Sequence, residues 1–306
     1  MDWILNNLVY IFIFIIGLCL GSFYNVVILR SLSGESIVFP ASKCPKCGTK
    51  LKPQHNIPVL SYILLKGKCA FCHEKISIQY PIVELLTAVL FCLAFSKFGY
   101  SYTTLFVMFW ISCLVIMTGT DIKEKVADCN YAIALAVSGL IYLMLKSGLE
   151  GLASSVIGAA IGFVIIELIA RVGQLLKKGR AMGEADSYLA GAFGAIVGYQ
   201  HIHLPLFYAL IASMLVILPI FWYRKYKDND ILCIFLSAMF IMSIAIHNIY
   251  PFQYWTFVLV LITGTFLAYH TIKNLKESSN LSYFPFIPAL STGFLYYILF
   301  VLRYYG

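Results

Sequence analysis

Ten apolar stretches, each close to the ~20 residues a helix needs to cross a hydrocarbon core of about 30 Å, divide this chain: 8–29, 80–98, 101–120, 130–147, 150–171, 186–204, 205–223, 231–249, 252–272 and 284–302. Lipid offers no hydrogen bonds, so a spanning segment must satisfy its backbone internally, which an α-helix does. Only 12% of the residues are charged and 61% are hydrophobic, whereas soluble domains carry about a quarter charged residues. The pattern predicts an all-α fold, a polytopic integral membrane helical bundle of about ten transmembrane helices.

Charge sets the expected orientation. The opening MDWILNNLVY holds Asp2 and no basic residue, so it lacks the basic start of a cleaved signal peptide and the first helix is expected to remain. With the N-terminus outside, alternating loops place all 22 lysines and arginines inside except Lys97, Lys146 and Arg303, as the positive-inside rule demands. The net charge of +8 then reads as topology and contact with anionic membrane lipids. It does not read as a nucleic-acid surface, because the basic residues are spread over short loops without interleaved aromatics.

The chain divides into a first transmembrane helix (1–30), a cytoplasmic polar loop (31–79) and a membrane bundle (80–306). The loop contains CPKCGTK and KCAFCHEK, so Cys44, Cys47, Cys69 and Cys72 form two C-x2-C pairs. This spacing suits a four-thiolate zinc site. Two disulfides are the alternative, but thiols on the cytoplasmic side stay reduced. A metal staple also explains how so small a loop folds. His73, beside Cys72, reads as a neighbour of the site rather than a ligand. Cys19, Cys92, Cys113, Cys129 and Cys233 show no pairing pattern and read as small core residues.

Acids in or beside spans are costly unless paired or functional. Glu167 lies four residues before Arg171 and can pair with it along one helix face. Glu84 opens the second span, where an interfacial hydrogen bond is the plain reading. Asp121, in MTGTDIKEKVAD, ends the third span; Asp186, in RAMGEADSYLAGAFGAIVG, begins the sixth. Alternating topology puts both at one membrane edge. They are either ordinary boundary acids or a pair that shares a proton, activates water and protonates a leaving amine. A proton- or metal-coupled transporter would use Asp121 and Asp186 as relay groups, with Glu84 and Glu167; their edge position and the lack of an inverted repeat argue against it. Ala190, Gly194 and Gly198, with Ser154, Gly158 and Gly162, form small-residue stripes that let helices approach closely.

Together these residues resemble the prepilin leader peptidase family, membrane aspartic proteases with a Gly-x-Gly-Asp signature. GLCLGSFYNVVILR, the four-cysteine loop, QYPIVELLTA, TDIKEK, AMGEADSYLAGAFGAIVG and PFIPAL (Pro285 to Leu290) occur in the family's order. The resemblance implies Asp121 and Asp186 as the catalytic pair, with Gly183, Glu184, Ala185, Asp128 and Glu84 around them. It implies removal of the leader from type IV prepilins or type II secretion pseudopilins, on the cytoplasmic face of a bacterial inner membrane. It also implies methylation of the new N-terminal residue from S-adenosylmethionine. Three features depart from the pattern: Ala185 replaces the glycine before the second aspartate, VADCN follows the first, and 230–272 resembles an added helix pair.

Overall fold

The computed structural model describes residues 2–33, 36–39, 41–44, 46–124, 127–176, 183–213, 231–249 and 286–302, with short pieces between 255 and 267. Lys125, Arg180, Pro285, Arg303, the basic segment around Arg224 and the second half of the expected 205–223 span lie outside the described residues. Among the described residues the regular structure is helical: α1 (Asp2–Ser33), α2 (Leu60–Leu64), α3 (Gln79–Phe98), α4 (Tyr102–Glu124), α5 (Cys129–Leu176), α6 (Glu184–Val197), α7 (His203–Ser213), α8 (Ile231–Ile249) and α9 (Ile287–Tyr296). Four helical stretches, 7–31, 79–98, 102–124 and 129–172, are long and apolar enough to cross a membrane.

The last of these is a hairpin. Ser147 and Gly148 leave helical geometry, Gly148 with φ +61°, a conformation glycine adopts without Cβ strain. Gly139 before this point lies against Ala195 and Ile196, and Gly158 after it lies against Gly194 and Gly198. Both halves of α5 therefore meet the same end of α6, which requires the chain to reverse at Gly148. The expected 130–147 and 150–171 stretches are these two arms.

The expected 186–204 stretch is shorter in the structure. α6 stops at Val197 because Gly198 takes φ +78° and ends the hydrogen-bond ladder, a common glycine stop; a turn then leads to α7. From Ala185 to Ile196 every residue of α6 except Tyr188 is buried, so it is the helix the others surround.

Glycine sets the closest packing. A Cβ added to Gly158 or Gly194 would run into the other's carbonyl group, and one at Gly162 into that of Ala190. On the far side of the bundle Gly17 and Gly21 of α1 rest on the backbone of Ala88 and Glu84 in α3. The central core joins α4, α6 and α9: the Phe193 and Phe294 rings stack at 4.1 Å, and Trp110 meets Phe294 edge-on at 6.3 Å. α8 is paired with the 255–267 pieces through Ser243 and Thr263, whose hydroxyls are 2.9 Å apart.

Candidate active site and metal centre

Asp121 and Asp186 are each 1% exposed. Their common end of the bundle follows from helix register. Trp110 Nε1 donates to Ser138 Oγ at 3.0 Å, while Tyr142 meets Phe106 and Trp110, so α4 and the first arm of α5 run antiparallel. The second arm runs antiparallel to α6, with Ser154 beside Gly198, Gly158 beside Gly194 and Gly162 beside Ala190. The first arm is thus parallel to α6, and Gly139 beside Ala195 puts Trp110, Ser138 and Ala195 at one level. Moving along α4 to Asp121 and back along α6 to Asp186 covers about 16 and 14 Å in the same direction, at ~1.5 Å per residue.

Each carboxylate is held by a backbone donor at a helix start. Gly183 N–H donates to Asp186 Oδ2 at 2.9 Å. This is the backward half of a capping box; glycine has no side chain to make the forward half. Ile287 N–H, the first of α9, donates to Asp121 Oδ2 at 3.2 Å. That group is among the helix-start donors with no intrahelical partner. One turn further, Thr118 Oγ1 donates to Ser291 Oγ at 3.1 Å. α9, opened by the PFIPAL motif, is a third component of the site whose bond to Asp121 the sequence does not announce.

The neighbouring acids separate by role. Glu184 is exposed on the first turn of α6, and Ala185 is buried where the family pattern has glycine. Asp128 is exposed and accepts from Asn130 N–H at 2.9 Å, a local cap on α5. Glu167 pairs with Arg171 at 3.0 Å and also accepts from Ser187 Oγ at 3.1 Å, tying the second arm of α5 to the residue after Asp186. Glu84 is 5% exposed; its Oε2 accepts from Val59 N–H at 2.7 Å, and the Ser22 hydroxyl also bonds it. Val59 has φ +59°, a strained conformation for a β-branched residue, so Glu84 anchors the loop between α1 and α3 where its backbone is least comfortable.

Within that loop, the four cysteine Sγ atoms lie within 4.8 Å of one another, and Cys44 and Cys72 are 3.9 Å apart. Four thiolates about 2.3 Å from a tetrahedral ion stand roughly 3.8 Å apart, so the cluster could hold a metal ion. Two matching turns build it. Gly48 N–H donates to Cys44 O at 2.9 Å and His73 N–H to Cys69 O at 3.0 Å; Cys44 N–H meets Thr49 O and Cys69 N–H meets Glu74 O. Bridges join Lys43 to Lys50 and Lys68 to Lys75. Gly48 and His73 take the same positive-φ corner, at +70° and +57°, so His73 is a turn residue outside the sulfur cluster. The repeat K-C-x-x-C-x-x-K was visible in the sequence.

The turns also prepare the thiols. The hydroxyl and then the amide of Thr49 bring the Cys47 thiol down to about 6, and the Cys72 and Phe71 amides lower Cys69, while Cys72, despite the Glu74 amide, is pushed up to about 11 by desolvation and the neighbouring sulfurs. At Cys47 and Cys69 the turn groups favour the thiolate that binds metal.

The family description Bacterial Peptidase A24 N-terminal domain matches residues 15–98, and Type IV leader peptidase family matches residues 108–221. A Prepilin leader peptidase/N-methyltransferase of Myxococcus xanthus is 35% identical over 190 residues, 62% of this chain; the match spans a little over half, 56%, of that protein. Proteins of the same name from Neisseria gonorrhoeae and Klebsiella pneumoniae are each 34% identical, over 65% and 62% of this chain and 78% and 85% of their own lengths. No solved structure matches.

Proposed function

The chain belongs to the type IV leader peptidase family, and we propose that it is a membrane aspartic endopeptidase that removes the leader peptide from type IV prepilins or related pseudopilins. The observation that carries this reading is a pair of buried carboxylates, Asp121 and Asp186, at one end of an otherwise apolar bundle, each fixed by a backbone N–H. The family match leaves the transporter reading without support.

In the proposed reaction the two aspartates share one proton, since like charges held close in an apolar site cannot both ionise cheaply. The ionised member takes a proton from water, and the resulting hydroxide oxygen attacks the scissile carbonyl. The protonated member hydrogen-bonds the carbonyl oxygen as charge develops there. As the C–N bond breaks, a proton passes to the departing amine. Gly183 and Ile287 hold the carboxylates in place for these transfers.

We assign zinc to the four-cysteine loop, on the donor set and spacing. Cys44, Cys47, Cys69 and Cys72 would hold it, and its chemistry there is structural: it ties two turns that bury little else. The protein sits in a bacterial inner membrane as a bundle of about ten spans, N-terminus outside, with the acids and the loop facing the cytoplasm. The relatives' names carry a methyltransferase, and we extend this to the chain, with S-adenosylmethionine supplying a methyl group to the amine that cleavage exposes. The sequence contains no G-x-G-x-x-G loop to which that donor could be assigned.

The test is leader removal from a synthetic prepilin by the purified protein. Asp121→Asn and Asp186→Asn should each cut the rate by at least about 10²-fold without loss of membrane insertion. Substantial cleavage by either variant would exclude the paired-acid mechanism.

A further inference from the structure

At the end of the bundle opposite the two aspartates, an open cavity of about 260 Å³ is lined by Lys97, Phe98, Tyr102, Thr103, Tyr142, Lys146 and Leu302. A second cavity of about 80 Å³ shares several of these walls and is mostly apolar, with Val107, Trp110, Ile196 and Ile298 in its lining and His201 as a further polar wall. The two form one amphipathic recess with ammonium groups at its mouth and a hydrocarbon floor. No acid lines either part.

Three observations make this a binding site rather than a packing fault. First, Lys97, at the end of α3, and Lys146, at the end of the first arm of α5, both line the recess. The other described cations on the spanning helices, Arg30, Lys123 and Arg171, lie near the opposite helix ends. Second, exposed Tyr100 and Tyr102 lie at the α3–α4 connection, the position of the aromatic belt at a membrane interface. Third, the lining residue Ile298 belongs to a π-turn, Tyr297–Val301, and its carbonyl accepts from Lys97 Nζ at 2.7 Å. Such turns are rare and recur at functional positions.

We propose that this recess binds the phosphate headgroup of an anionic glycerophospholipid. Lys97 and Lys146 attract the phosphate, and the floor around Trp110 and Ile298 receives the first methylenes of an acyl chain. A small inorganic anion would leave the floor unfilled, and an uncharged lipid would leave the lysines unmatched. The site is separate from the proposed peptidase centre, and its test reads lipid retention rather than cleavage.

The protein, purified in mild detergent, is exchanged against phosphatidylglycerol or phosphatidylcholine, and retained lipid is counted by native mass spectrometry. Wild type should retain phosphatidylglycerol in preference to phosphatidylcholine. Lys146→Gln, which breaks no described hydrogen bond, should lower phosphatidylglycerol retention about five-fold, the equivalent of one interfacial cation, and Lys146→Arg should restore it. Lys97→Gln combined with Lys146→Gln should lower it about thirty-fold. Equal retention of the two lipids by wild type would overturn the proposal, as would unchanged retention by Lys146→Gln. Displacement of the lipid by inorganic phosphate at matching concentration would reject the lipid as the ligand source.

Discussion

Gly191 and Gly194 lie one turn apart on α6, yet alanine at the two positions should have opposite consequences. A Cβ at Gly191 would come 3.2 Å from Ala159 O and 3.3 Å from Phe163 Cβ, against an ordinary contact of 3.4 Å or more. A shift of about 0.2 Å removes that crowding, and the ~1 kcal/mol helix preference for alanine over glycine compensates. At Gly194 the added carbon would collide with the Gly158 carbonyl group, which is backbone and cannot rotate aside. The second arm of α5 must then move off α6 by roughly 1 Å, at an overpacking cost of about 1–3 kcal/mol. Displacing a catalytic group by about that distance costs on the order of 10²-fold in turnover. Initial rates of prepilin leader cleavage, normalised to inserted protein, should leave Gly191→Ala within about two-fold of wild type and Gly194→Ala about a hundred-fold slower. Wild-type turnover by Gly194→Ala, or an equal loss in both variants, would refute the idea that α5–α6 packing positions Asp186.

Asp128→Ala should lose only a local cap, about 1 kcal/mol, and keep near-wild-type cleavage; abolished cleavage in an inserted protein would show that the first acid is wrongly assigned. In the metal-free loop the Thr49 hydroxyl and amide hold the Cys47 thiol down at about 6, and zinc uptake must displace whatever thiol protons remain. Zinc uptake by chelator-stripped protein, followed with a metal-sensitive dye, should therefore weaken as pH falls through that region, and Thr49→Val should move the weakening to higher pH; identical profiles would discount the Thr49 contact. Glu84→Gln should replace the carboxyl acceptor on Val59 with an amide one, costing roughly 1–2 kcal/mol. Limited proteolysis between 52 and 60 should then quicken, with the helical content unchanged by circular dichroism.

The parts of the site that the sequence revealed are those whose chemistry is written locally. Two C-x2-C pairs specify a thiolate cluster because ligand spacing follows turn geometry, and the same segments carried the flanking lysines that mark two equivalent turns. Asp121 and Asp186 stood out because an acid in an apolar stretch is costly. The length of α6 was not legible: residues 198–204 are mixed enough to extend a hydropathy window, whereas the stop lies in the positive φ of Gly198. Hydropathy also cannot distinguish a short helix buried by protein from one facing lipid. The Asp121–Ile287 hydrogen bond joins residues 166 positions apart, so only tertiary structure could reveal it.

That long-range bond bears on how a peptide could reach two acids on packed helices. Helices in direct contact lie about 8–10 Å apart with interlocking side chains, which leaves little room for a substrate strand. Here α9 joins α4 and α6: it holds Asp121 through Ile287, bonds Thr118 through Ser291, and sets Phe294 against both Trp110 and Phe193. The separation of α4 and α6 at the level of Phe294 is thus governed by a third helix as well as by α5. Among the described residues α9 begins at Ile287, beside Asp121. The helix that holds Asp121 is therefore also the one packed between Trp110 and Phe193, so a change in α9 packing moves the first acid relative to α6.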